Sequence, residues 1–290
     1  MILGDRKVIV STKSWRHPSR RLTIMFAVAL AVVALAGGGV AYAASQQPAI
    51  STSTPRSANN ITNLDVLRQQ IRNYYGDPLG TGVSASDSNY ANEARSVADS
   101  GARWLSARRS TNGMKAIVLD VDDTTLLTWN YEIFSNWAFN PTTNAQFVND
   151  QKFSAVFGMV DLANTAEREG YAVFFLTGRP AIQEAATLGN LTADGIGVDA
   201  GYPKPSTLVD GEDGLFTKPA VVDYPDYLKA ACANDPNGSC TTTHYKTATR
   251  AHIESLGYDI VANFGDQFSD LNGGFADRTF KMPNPNYFLP

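Results

Sequence analysis

Asp120, Asp122 and Asp123 stand together at the end of a short apolar run, Lys115-Ala-Ile-Val-Leu119, and Thr124 follows them. A β-branched run of this length reads as a buried strand, and carboxylates at a strand's carboxyl end lie where open α/β sheets bind ligands. Asp120 and Asp122 are two residues apart, so the chain must bend just past the strand for both to face one ligand. With that bend, one can act as a nucleophile and the other as a general acid/base, with a magnesium ion beside them. A plain strand running into an acidic turn has the same composition, because Asp is a common turn residue. Asp123 is expected to face solvent or to cap the turn.

Three further signals lie downstream. Tyr171-Ala-Val-Phe-Phe-Leu176 reads as a second buried strand and ends in Thr177-Gly178-Arg179-Pro180. A hydroxyl and backbone amides after a strand, with Gly178 permitting close approach, suit a phosphate; a polar turn capping the next helix fits equally well. Tyr245-Lys246-Thr247 opens a helical run to Gly257, placing an ammonium near the positive helix end. The apolar run Ile260-Val-Ala-Asn-Phe264 then leads into Gly265-Asp266-Gln267-Phe268-Ser269-Asp270. Its two carboxylates, four residues apart, can supply a magnesium ligand and the support behind it.

The elements that must position these groups alternate along the chain. Ile61, Leu64, Leu67, Ile71 and Tyr74 recur at helical steps, and Gly76-Asp77-Pro78 ends that helix. A second helix is expected from Asn89 to about Arg108, and a third from Phe153 to Glu169. The segment Asn130 to Asp150 is aromatic and irregular; with Trp129, Tyr131, Phe134, Trp137 and Phe139 it reads as a small cap whose rings pack mainly against one another. Thr279 to Met282 reads as a last strand. Strands alternating with helices predict a doubly wound, mostly parallel, Rossmann-like α/β sheet in one domain, 61–290, with a small cap insertion and N-terminal helices.

Strand-DxDxT, strand-TGR, a helical Lys and strand-GDxxxD, in this order, resemble the haloacid dehalogenase-like phosphohydrolases. Within them, Asp120-Val-Asp-Asp-Thr124, Tyr245-Lys246, Gly265-Asp-Gln-Phe-Ser-Asp-Leu271 and the tail Phe280-Lys-Met-Pro-Asn-Pro-Asn-Tyr287 resemble the acid phosphatase branch, which holds plant acid phosphatases, vegetative storage proteins and secreted bacterial enzymes. The resemblance implies a phosphoric monoester hydrolase that forms an aspartyl phosphate. Asp120 would be the nucleophile and Asp122 the acid/base. Magnesium would rest on the Asp120 carboxylate, the Asp122 carbonyl and Asp266. Thr177, Gly178 and Lys246 would hold the phosphoryl oxygens, with Asp270 orienting a metal-bound water or Lys246. A phosphotransferase on the same fold and a non-catalytic storage or binding protein are the alternatives; storage relatives typically lose the nucleophile, which is present here.

Composition narrows the rest. Residues 1–43 join a basic head, an apolar middle and Ala41-Tyr-Ala43, the form of a cleaved secretory signal. Uncleaved, Leu22 to Ala44 is long enough to anchor the chain in a membrane. Residues 44–60 read as a flexible linker. Without residues 1–43 the chain holds 18 basic and 27 acidic side chains, a balance that excludes a nucleic-acid partner. A small phosphomonoester is the expected partner, with no stable membrane contact once the signal is removed. Cys232 and Cys240 enclose a turn-rich loop and are expected to form a disulfide in an exported protein, with two free thiols as the alternative. His17, His244 and His252 are too few for a histidine-rich dinuclear metal site, and His244 reads as a surface residue.

Overall fold

The computed structural model describes residues 54–108 and 113–289. The expected signal segment 1–43 and most of the expected linker lie outside them. Within the linker's described end, Ala58–Asn60 forms one exposed 3-10 turn.

Two helices come first, α1 (Leu64–Tyr74) and α2 (Asn89–Ser106). Each starts at a side-chain cap: the Asn63 carboxamide oxygen accepts from two backbone amides, and the Ser88 hydroxyl accepts from Ala91 N. Ile61, Leu64 and Leu67, which match the helical period, remain exposed; α1 buries Ile71 and, just past its end, Tyr75.

β1 (Met114–Leu119), β4 (Ala172–Pro180), β5 (Leu215–Lys218), β6 (Tyr258–Gly265) and β7 (Thr279–Lys281) form a five-stranded sheet in the order β5-β4-β1-β6-β7. Every pair in it is parallel. The strands are apolar at consecutive positions because both faces are covered. Ile117, Leu119, Val173 and Phe175 join one core with Ala98, Leu162 and Phe264. Ala116, Val118, Phe174 and Leu176 join a second core with Leu228, Tyr245 and Ile253. The expected doubly wound fold is therefore present, with two cores separated by the sheet.

Between β1 and β4 lies the insertion: β2 (Leu126–Leu127), α3 (Trp129–Ser135), α4 (Pro141–Asn149), β3 (Ser154–Ala155) and then α5 (Met159–Arg168). β2 and β3 pair antiparallel. The stretch read as irregular is largely helical: Asn140 caps α4, with Pro141 at its first position. The helix expected from Phe153 starts only at Met159, because Phe153 to Phe157 feeds β3 and Gly158 turns the chain at φ 83°. The rings do pack on one another: Trp129 stacks on Tyr75 at 4.2 Å between centroids, and Tyr131 meets Phe147 at 5.3 Å. Phe134 and Phe139 remain exposed.

The second half adds α6 (Glu184–Leu191), α7 (Asp226–Ala231), α8 (Thr242–Ser255) and the single turn α9 (Phe268–Leu271). Among the described residues no helix is long and apolar enough to cross a membrane.

Candidate active site

Strand register brings the chemistry together. Leu119 pairs with Phe175 on one side and Phe264 on the other, so the residues just past these partners meet at one edge of the sheet. Asp120 follows β1 directly, and its amide still donates to Phe264 O at 3.0 Å. The Val121 carbonyl then accepts from Thr125 N at 2.9 Å and Leu126 N at 2.8 Å, the bend that two cooperating carboxylates require. Asp123 sits in this bend at φ 54°, a region that Asp tolerates better than most residues. It does not face solvent: it is wholly buried, and its carboxylate accepts from Thr128 N at 3.0 Å and Thr128 Oγ1 at 2.6 Å. The capping role stands. Burial pushes its carboxyl up to about 7.

Lys246 is the fifth residue of α8, not at its start, because Thr241 caps the helix by accepting from His244 N at 3.1 Å. Its ammonium therefore owes its position to the helix face more than to the helix end. It is buried and donates to Asp120 Oδ1 and, at 2.7 Å, to Asp270 Oδ1. Burial opposes the ammonium charge, but the Asp120 and Asp270 carboxylates outweigh it and hold the Lys246 pKa above its usual value. Asp270 Oδ2 accepts from Gln267 N at 2.8 Å, so both its oxygens are occupied. Gly265 permits this approach, since a Cβ there would lie 2.4 Å from the Asp270 Cβ. His244 is exposed and pairs with Asp235 at 2.8 Å, away from Lys246's partners.

β4 runs past Leu176 to Pro180, so Thr177 and Arg179 share one face of the strand and Gly178 and Pro180 the other. Thr177 is buried, and its Oγ1 accepts from Arg179 N at 3.1 Å, which leaves its hydroxyl proton available. A Cβ on Gly178 would meet nothing within 4 Å, so the space beside its Cα is open. Arg179 grips the Asp122 carboxylate, a pairing that the Thr177-Gly-Arg pattern alone does not disclose.

Asp120, Asp266 and Asp270 each place one carboxylate oxygen within 4.8 Å of the others, all buried. Burial, then the Asp270 charge, raises the Asp120 pKa well above the usual range, and the same causes push Asp266 up to about 7. Three buried carboxylates face one ammonium, and among the described residues none donates a hydrogen bond to Asp120 Oδ2. A hard, oxygen-seeking divalent cation fits this donor set. Asp270 is bonded through both oxygens at 2.7 and 2.8 Å, whereas Asp266 Oδ1 has only a long 3.4 Å contact with Thr124 and Asp120 Oδ2 has no donor among the described residues, so Asp120 and Asp266 are the carboxylates with an oxygen to offer such an ion.

A doubly wound sheet with paired acids after its central strand defines the haloacid dehalogenase-like class. Residues 40–290 match the family described as HAD superfamily, subfamily IIIB (Acid phosphatase), and the chain belongs to it. It is 24% identical over 241 residues to acid phosphatase 1 of Solanum lycopersicum, covering 80% of this chain and 79% of that protein. It is 32% identical over 155 residues to a stem 28 kDa glycoprotein of Glycine max, a match that spans 52% of this chain and only 50% of that protein. The class C acid phosphatase of Bacillus anthracis has a similar fold, with a TM-score of 0.53 at 20% identity over 77% of this chain and 86% of that one.

Proposed function

We propose that this chain is an exported, magnesium-dependent acid phosphatase that hydrolyses small phosphomonoesters through an aspartyl phosphate. The observation that carries the reading is the pair of first-motif acids in opposite surroundings. Asp120 is buried against Lys246, whereas the half-exposed Asp122 is held by Arg179. Two carboxyls placed this differently suit two different roles.

In this reading an Asp120 carboxylate oxygen attacks phosphorus and forms the new O–P bond as the ester O–P bond breaks. Asp122 is the acid that gives a proton to the departing alkoxide. Asp122 then takes a proton from the water that attacks phosphorus, releasing phosphate and restoring Asp120. Lys246 and the Thr177 hydroxyl bind the transferring oxygens, with Gly178 adding no side chain beside them. Asp120, Asp266 and the Asp122 carbonyl would hold magnesium, which supplies charge that lets an anionic nucleophile meet an anionic phosphate. Asp270 keeps Lys246 in place.

Export is supported by the disulfide that joins Cys232 and Cys240, since such bonds persist in oxidising compartments. The test is hydrolysis of p-nitrophenyl phosphate by the purified protein with magnesium, with chelator, and after Asp120→Asn. Magnesium-dependent turnover that falls by roughly 10⁴-fold or more in the variant is expected. Turnover that survives the substitution overturns the mechanism.

A further inference from the structure

The chain after β7 returns to the site, and it does so through Asp266. Asp266 Oδ2 accepts from Asn284 Nδ2 at 2.7 Å and from Gln267 Nε2 at 2.6 Å. Asp266 Oδ1 has only the Thr124 hydroxyl, at a long 3.4 Å. The two oxygens of one carboxylate are thus treated differently: one is filled by two amides, the other left open.

Both amides are themselves oriented by the same tail. Asn284 Oδ1 accepts from Asn286 N at 2.8 Å, which fixes the Nδ2 end toward Asp266. Gln267 Oε1 accepts from Leu289 N at 2.9 Å, which fixes its Nε2 end likewise. The tail is fastened at its start by Met282 N donating to Gly265 O at 2.9 Å. Midway, the Asn286 side chain accepts from Trp137 Nε1 at 3.2 Å and donates to Tyr75 OH at 2.9 Å.

We infer that Asn284 is a positioning residue for the cation: with Gln267 it occupies Asp266 Oδ2 and so leaves Oδ1 as the oxygen that would meet the ion. The inference rests on the magnesium reading above. Groups hydrogen-bonded to metal-ligating carboxylates typically alter affinity by roughly 10–100-fold when removed.

The test is calorimetric titration of the metal-free protein with Mg²⁺, which reads binding without turnover. Asn284→Ala should weaken Mg²⁺ by roughly 10–100-fold, and Asn284→Asp, which keeps the shape but turns a donor into an acceptor, by at least as much. Asn286→Ala releases Trp137 and Tyr75 but keeps the Asn286 amide on Asn284, and should bind Mg²⁺ as the unmodified protein does. Unchanged affinity in both Asn284 variants overturns the inference. So does an equal loss in Asn286→Ala, because the tail would then be only a cover. An unmodified protein that binds no Mg²⁺ fails the magnesium reading itself, a separate outcome.

Discussion

Arg179 holds the Asp122 carboxylate with two nitrogens, Nη2 at 2.6 Å from Oδ1 and Nε at 3.0 Å from Oδ2. Its remaining nitrogen, Nη1, donates to Thr187 Oγ1 at 3.0 Å, and its carbon centre lies 5.4 Å from the Phe153 ring centroid. The guanidinium is therefore locked from three sides, and the carboxyl assigned to proton transfer is locked through it. Arg179→Ala should lower kcat by roughly 100-fold, the scale on which a misplaced catalytic group costs rate, with a smaller change in KM. Arg179→Lys should recover little, because an ammonium lacks the planar fork. Steady-state kinetics on p-nitrophenyl phosphate reads both. A KM change with kcat unaltered would assign Arg179 to substrate binding instead.

Glu132 gives the protein a pH-dependent stability. It is a buried carboxyl on α3, and burial first, then the Asp122 charge, push it from 4.5 up to about 7. The folded state therefore keeps a proton that the unfolded chain has lost across that interval. The contribution of Glu132 to stability should fall as pH rises from about 4.5 to about 7 and level off above. The penalty at pH 8 is roughly 3 kcal/mol by linkage. Glu132→Gln removes the titration, so the metal-free variant should be more stable than the parent at pH 8 and about equal to it near pH 4. Denaturant unfolding at the two pH values measures this; a variant less stable at pH 8 would show that the ionised carboxylate is needed.

Much of this site was legible because its parts are local. Asp120, Thr177, Asp266 and Asp270 each follow an apolar run that can only be a buried strand, and parallel pairing brings such strand ends to one edge. What escaped depends on geometry that the local pattern does not carry. Arg179 reaches Asp122 because β4 extends past Leu176 and period two places Arg179 on the face of Thr177. Asp123 is buried because the bend closes onto Thr128, five residues on. The tail was noticed only as a family likeness, since its contact with Asp266 follows from β7 lying beside β6. Helices α3 and α4 were hidden by aromatic residues that serve ring packing more than one helical stripe.

The disulfide supports the segment that delivers Lys246. Cys240 N donates to Tyr224 OH at 3.2 Å, and its carbonyl accepts from Lys218 Nζ at 2.6 Å; the next residue, Thr241, caps α8. Closing so short a loop is worth roughly 2–3 kcal/mol in the chain-entropy account. Reductant should lower the melting temperature of the parent and leave that of a Cys232→Ser/Cys240→Ser variant unchanged. Equal melting with and without reductant would show that the bond adds nothing to the folded state.

Lys246 can be separated into its structural and chemical parts with a divalent ion. In the metal-free protein its ammonium is the cation that pairs with both Asp120 and Asp270, which are buried. Lys246→Met leaves those carboxylates without a cation, which costs about 3–5 kcal/mol when one partner of a buried pair is removed. It also takes away the charge that lowers the Asp120 pKa, so that carboxyl should move further up. Low pH then relieves the variant by protonating the carboxyls, and magnesium should relieve it by binding the folded state alone, an effect of about 2.7 kcal/mol at a hundredfold excess over Kd. Thermal melts should show the larger magnesium-induced rise in Lys246→Met, yet kcat should stay depressed because no ammonium meets the phosphoryl oxygens. Recovery of stability and turnover together would reduce Lys246 to charge balance; no magnesium effect on either protein would remove the ion from this site.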